Sequence, residues 1–142
     1  MFPMSQKIDF TTLNGKRVKT EEIYSNGSAT SGSITLDSSI DNYDYLYIFI
    51  KRTNGVGWTS GVIRVSDFKL GNELSFVSCE PNNTARVFTL YGLNVVYESS
   101  TKIKIQKNCD VALNASGIAG GPTTGGSLSI KNIVGIKLID GD

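Results

Sequence analysis

The sequence predicts an all-β fold: an antiparallel β-sandwich, jelly-roll-like, of about nine strands behind a short N-terminal arm. Three observations carry this reading. From Glu22 onward, short runs of β-branched and aromatic residues are divided by Gly, Asn, Asp and Ser, which is the pattern of many short strands. No stretch shows a convincing helical period. The longest apolar run, Ile40 to Lys51 (IDNYDYLYIFIK), alternates at period two, as a strand requires.

Taken in order, residues 1–20 are polar and mixed and read as an arm or linker, with residues 21–142 forming one sandwich head domain. Strands are expected near Ile23 to Ser25 and Ser31 to Leu36, then a turn at Asp37 to Asn42 and the strand Tyr43 to Lys51. In that strand Leu46, Ile48 and Ile50 point one way, and Tyr43, Tyr45, Tyr47 and Phe49 the other. Both faces are apolar, so both should be covered, the aromatic one by a second layer or by a neighbouring subunit. Tyr45, Tyr47 and Phe49 are therefore the expected oligomer interface. Asn54 and Gly55 supply a tight hairpin turn, and Trp58 to Val65 returns as a strand.

A second hairpin is expected from Leu74 to Glu80 and Thr84 to Tyr91 around Pro81, Asn82 and Asn83. A third joins Asn94 to Glu98 with Thr101 to Lys107. There Ile103 and Ile105 face the core, while Lys102, Lys104 and Gln106 face water. Asn114 to Ser127 (NASGIAGGPTTGGS) is so rich in glycine that it reads as a long loop, mobile or ordered by a neighbour, and unable to hold a strand. Leu128 to Ile139 closes the chain as a strand paired within a sheet.

A chain of 142 residues suits one domain with one core. Its formal charge of +1 provides no field to hold a polyanion, so nucleic acid is not an expected partner. No apolar run approaches the roughly 20 residues of a helical span, so membrane insertion is not expected. The start, MFPMSQKIDF, lacks the layout of a secretory signal. Cys79 and Cys109 lie in or beside strand patterns and are expected to be buried and reduced rather than bridged.

The absence of histidine removes the commonest general base and zinc ligand. The two cysteines have no zinc spacing, and no serine sits in a GxSxG elbow. GGPTTGG has a phosphate loop's glycines without its lysine. The carboxylates Glu73, Glu80, Glu98, Asp41 and Asp44 lie at turns and read as solvated groups. No catalytic residue, metal or cofactor is expected. Aromatic residues offer more: Trp58, Tyr91 and Tyr97 near hairpin ends, with Asn54 beside Trp58, form the expected ligand site, since rings stack on sugar faces and amides bind hydroxyls. Core packing is the alternative for each ring.

Ile23 to Ile50, IYSNGSATSGSITLDSSIDNYDYLYIFI, resembles a module found at the C terminus of phage tail, tail fibre and baseplate proteins, especially from phages and prophages of Gram-positive hosts. That module shows a "GxxSSGxITL" stretch, a SISNYD-like turn and an aromatic strand. Tyr24, Gly27, Ser31, Gly32, Ile34, Thr35, Leu36, Ser39, Ile40, Asn42, Tyr43 and Asp44 match it in order. The closing IVGIKLI, Ile133 to Ile139, is similar to its "KVIGYK" ending, with Ile136 where an aromatic is common. The middle of the chain diverges.

The resemblance implies a receptor-binding head, trimeric in many such proteins, made in the host cytoplasm and carried on the virion among other tail proteins. It implies binding of host cell-surface polysaccharide and transfers no ligand residue. The expected function is thus noncatalytic host adhesion. The alternatives are a purely structural tail or baseplate part, and a polysaccharide-degrading enzyme or its accessory module.

Overall fold

Period-two alternation leaves each long strand with one side fit for burial, and the computed structural model resolves this by facing two sheets together. It describes residues 12–13, 15–53, 58–82, 86–123 and 125–140. The strands are β1 (Thr12–Leu13), β2 (Lys16–Tyr24), β3 (Gly32–Thr35), β4 (Tyr45–Arg52) and β5 (Trp58–Arg64), then β6 (Leu74–Asn82), β7 (Val87–Ser99), β8 (Lys102–Asn114), β9 (Gly117–Thr123) and β10 (Leu128–Asp140). The first sheet has the order β1-β2-β10-β4-β5. The second runs β3-β8-β7-β6, with β9 also pairing β8. All pairings are antiparallel, so the all-β sandwich holds. The chain changes sheet from β2 to β3 and again to β4, and β10 returns between β2 and β4, while β4–β5 and β6–β7–β8 are consecutive neighbours within one sheet.

The core lies between the sheets. Leu46, Ile48 and Ile50 of β4 are fully buried, as are Ile130 and Ile133 of β10 and Val95 and Ile103 of the second sheet. Each such side chain contributes ~1.5–3 kcal/mol of transfer free energy. Phe76 of β6 packs over Gly61 of β5, where an added Cβ would sit 2.9 Å from the ring. Asn108 is a buried polar tie: its Nδ2 donates to the carbonyls of Thr30 (2.9 Å) and Leu128 (2.7 Å).

Several expectations change. The first long strand begins at Lys16, inside the stretch read as an arm, because Lys16 to Tyr24 pairs with β10 along its length. Tyr43 does not join the outer aromatic row; it precedes β4, is buried, and belongs to the core. The expected strands Thr84 to Tyr91 and Asn94 to Glu98 are joined, over the described residues, into one strand, β7 (Val87–Ser99), running through Gly92. Val65 leaves β5 and opens a short helix, α1 (Val65–Lys69), which buries Phe68. The Asp37 to Asn42 turn contains one 3-10 turn at Ile40–Asn42, with Ser39 Oγ accepting from Asp41 N–H at 3.2 Å.

The largest correction is in the glycine-rich stretch, where Gly117–Thr123 forms β9 against β8. The entropy cost of ordering glycine is offset because the backbone hydrogen bonds of β8's open edge are there to be completed. β3 covers Lys102 to Ile105 of that edge, and β9 covers its far half from Asp110 to Asn114. Cys79 and Cys109 are both exposed, not buried. Each falls on the outer side of the second sheet, on the face of Val77, because alternation puts Phe76 and Asn108 inward.

Candidate functional site

The strongest candidate surface is the outer side of the first sheet. With Leu46, Ile48 and Ile50 turned inward, Tyr45, Tyr47 and Phe49 must face outward, where they are half-buried. Strand register extends the row on both sides. Tyr47 stands between Val134 and Val62, and Tyr45 between Ile136 and Arg64. Val62 and Trp58 keep 54% and 55% of their surface exposed among the described residues.

Within the face, Phe49 meets Tyr47 edge-on at 4.6 Å and Trp58 edge-on at 6.2 Å, the T-shaped geometry aromatic pairs prefer. Lys51 Nζ lies 5.4 Å from the centre of the Trp58 ring. The Tyr47 hydroxyl donates to Ser60 Oγ at 3.1 Å. Beside the rings, Asn132 donates to Glu22. The surface is thus a preorganised apolar patch with polar groups at its margins, suited to binding another protein surface. Among the residues that form it, sequence reasoning missed Val134, Ile136 and Val62. Their alternation was visible, but which strands would lie beside β4 was not.

A second polar cluster sits where the sheets separate. Arg52 continues the inward row of β4, and its guanidinium lies 5.1 Å from the centre of the Tyr91 ring. Its Nη1 donates to Glu80 and, at 2.9 Å, to the Tyr91 hydroxyl, which also contacts Glu80 Oε2 at 3.1 Å. Nearby, Asp110 accepts from the Ser127 N–H at 3.0 Å. These contacts bind the end of β4 and the start of β10 in the first sheet to β6, β7 and β8 in the second. The arrangement is a clamp between layers. Residues 28 positions apart gave no sequence signal for it.

Of the four expected ligand residues, the three described ones, Trp58, Tyr91 and Tyr97, are not brought together. Asn54 lies outside the described residues. Trp58 is on the outer side of the first sheet. Tyr91 is buried at 9% exposure under Arg52, so a face of its ring is taken. Tyr97 lies six positions along the same strand, about 20 Å away at strand spacing, packed edge-on against Phe68 at 6.1 Å. Trp58 instead joins the Tyr45, Tyr47 and Phe49 row, so one expected ligand residue and the three expected interface residues share one face.

No family model matches this chain, and no curated protein matches it.

Among the described residues no three His, Cys, Asp or Glu side chains converge on a possible metal position. Among the described residues, Tyr43 is the interior group whose titration is displaced. Burial first, and then donation to Glu21 Oε2 at 2.6 Å, raise its phenol above the ordinary value of 10.0.

Proposed function

We propose that this chain is a noncatalytic recognition module of phage-tail type that trimerises through the outer side of its first sheet and binds host cell-surface polysaccharide. One observation carries the proposal: Tyr45, Tyr47, Phe49, Trp58 and Val62 lie on a single aromatic and aliphatic face, of which Trp58 and Val62 stay more than half exposed among the described residues. A second copy supplies the cover such a face needs, and copies gathered on one particle let weak single sites act together.

The resemblance to phage tail modules supports the same reading, because its matching residues perform backbone work here. Gly32 adopts φ +77° as the first residue of β3, Ser39 caps the 3-10 turn, and Asp44 Oδ2 accepts from Leu138 N–H at 2.7 Å. That last bond ties the first matching segment to the second. In this reading the chain works on the virion beside other tail proteins.

Light scattering on the purified chain tests the assembly half: a particle of three times 15.3 kDa is expected, and a monomer at high concentration would remove the reason for the open face. Binding to intact Gram-positive cells tests recognition. A trimer that binds no candidate host would leave the purely structural tail part as the better reading. Release of sugar from wall polysaccharide would point to an enzyme.

A further inference from the structure

The end of β6, the start of β7 and the end of β8 meet at one end of the second sheet, since Asn82 pairs with Val87 and Phe88 with Leu113. Between them is a cleft of about 430 Å³, lined by Pro81, Asn82, Arg86, Phe88, Leu113 and Asn114 among others. That volume is at the lower end of the range for small-ligand sites, ~300–1,000 Å³.

Its lining combines three kinds of group. Phe88 leaves 40% of its surface open although it lies on a strand. Arg86 holds φ +52°, a conformation that costs a non-glycine residue ~1–3 kcal/mol, and its exposed guanidinium has no hydrogen-bond or ion-pair partner among the described residues. Asn114 accepts the Ser116 N–H on its Oδ1 at 2.9 Å, and its amide keeps two Nδ2 hydrogens as donors.

An apolar ring face, a forked cation and an amide donor within one cleft define a ligand. The ring suits the C–H face of a pyranose. The guanidinium fork suits a carboxylate or phosphate, which it binds in bidentate fashion and more strongly than it binds a hydroxyl. The amide suits a neighbouring hydroxyl. A neutral sugar would leave Arg86 without its strongest kind of partner. A nucleic acid would need many cations, and this cleft presents one.

We infer that the cleft at these strand ends binds an acidic pyranose, a sugar ring bearing a carboxylate or a phosphate, with Phe88 as stacking platform and Arg86 as anion clamp. The inference rests on the reading that the chain recognises surface polysaccharide, and it places that recognition away from the aromatic face of the first sheet. Assembly and ligand binding then use different surfaces, so every copy in a trimer keeps its cleft.

The test is an NMR titration of the ¹⁵N-labelled full chain with glucuronic acid, glucose 1-phosphate and glucose, joined to binding of intact Gram-positive cells. Both acids are expected to move the amide signals of Arg86 to Phe88 and Leu113 to Ala115, with glucose binding about tenfold more weakly, the factor worth ~1.4 kcal/mol. Preference for one acid distinguishes a uronate from a phosphate-bearing polymer. Arg86→Asn keeps a residue that tolerates positive φ and should abolish the preference for acids. Phe88→Ala should weaken all three sugars. Unchanged thermal midpoints would show that both variants fold.

If the parent binds cells and both variants bind them equally well, or if the signals that move are those of Lys51 and Trp58, the cleft is wrong and polysaccharide recognition stands. If the parent binds neither the sugars nor the cells, both are overturned.

Discussion

The ring of Tyr43 occupies the space that a side chain on Gly135 would need: a Cβ added there would lie 2.5 Å from the ring. Tyr43 precedes β4 and Gly135 lies within β10, so this contact seats the 3-10 turn on the middle strand of the first sheet. Gly135→Ala should therefore destabilise the fold by about 1–3 kcal/mol through overpacking. Urea unfolding measures it, and a midpoint equal to that of the parent would contradict the contact.

The same tyrosine gives a pH dependence. Its phenol titrates above 10.0 in the folded chain, through burial and the bond to Glu21, so folding favours the neutral form. That stabilisation is complete below the ordinary tyrosine value and is lost as pH rises through the folded-state value. Tyr43→Phe should cost about 1 kcal/mol at neutral pH, and the gap between the two proteins should close above about pH 10. A gap that stays constant into alkali would refute the assignment.

Tyr47→Lys or Phe49→Lys should break self-association while leaving the monomer folded, because both rings project from the sandwich. Ile63→Lys, on the inward side of β5 opposite Leu46, should unfold it. Light scattering and circular dichroism together separate these effects. If all three variants merely unfold, the aromatic face is part of the core.

Arg52→Ala should lower stability by about 1–3 kcal/mol, since the Tyr91 hydroxyl and Glu80 would lose the cation that joins them across the layers. Much of that loss should disappear in the Arg52→Ala, Glu80→Gln double variant. Additive costs would show that the two side chains are not coupled.

Cys79 and Cys109 should both react with a thiol reagent in the native protein at rates near those of a free thiol. They should not bridge to each other, because β7 separates their strands, setting them at least ~9 Å apart, beyond the ~7 Å limit for a disulfide. Protection of either thiol in the native monomer would contradict the outward face assigned to them.

Local patterns carried the fold class. Ile103 and Ile105 against Lys102 and Lys104 gave a correct inner and outer side, and so did Leu46, Ile48 and Ile50. What escaped depends on pairing. Gly92 interrupts the alternation of β7, and only its neighbours Val77 and Cys109 show that the strand continues. β9 has poor strand propensity of its own and exists because β8 offers it an edge. The candidate sites escaped for a related reason: Trp58 reaches Phe49, and Phe88 reaches Leu113, through registers that no single segment encodes.

The tiling of β8 by β3 and β9 has a consequence at high concentration. An unpaired strand margin invites another chain to add itself, yet on this side of the second sheet only the short interval 106–109 lies between the two covering strands. On the opposite side β6 carries Pro81, which has no amide hydrogen to donate. Edge-on addition of another copy is thereby hindered along the β8 margin and at the Pro81 end of β6.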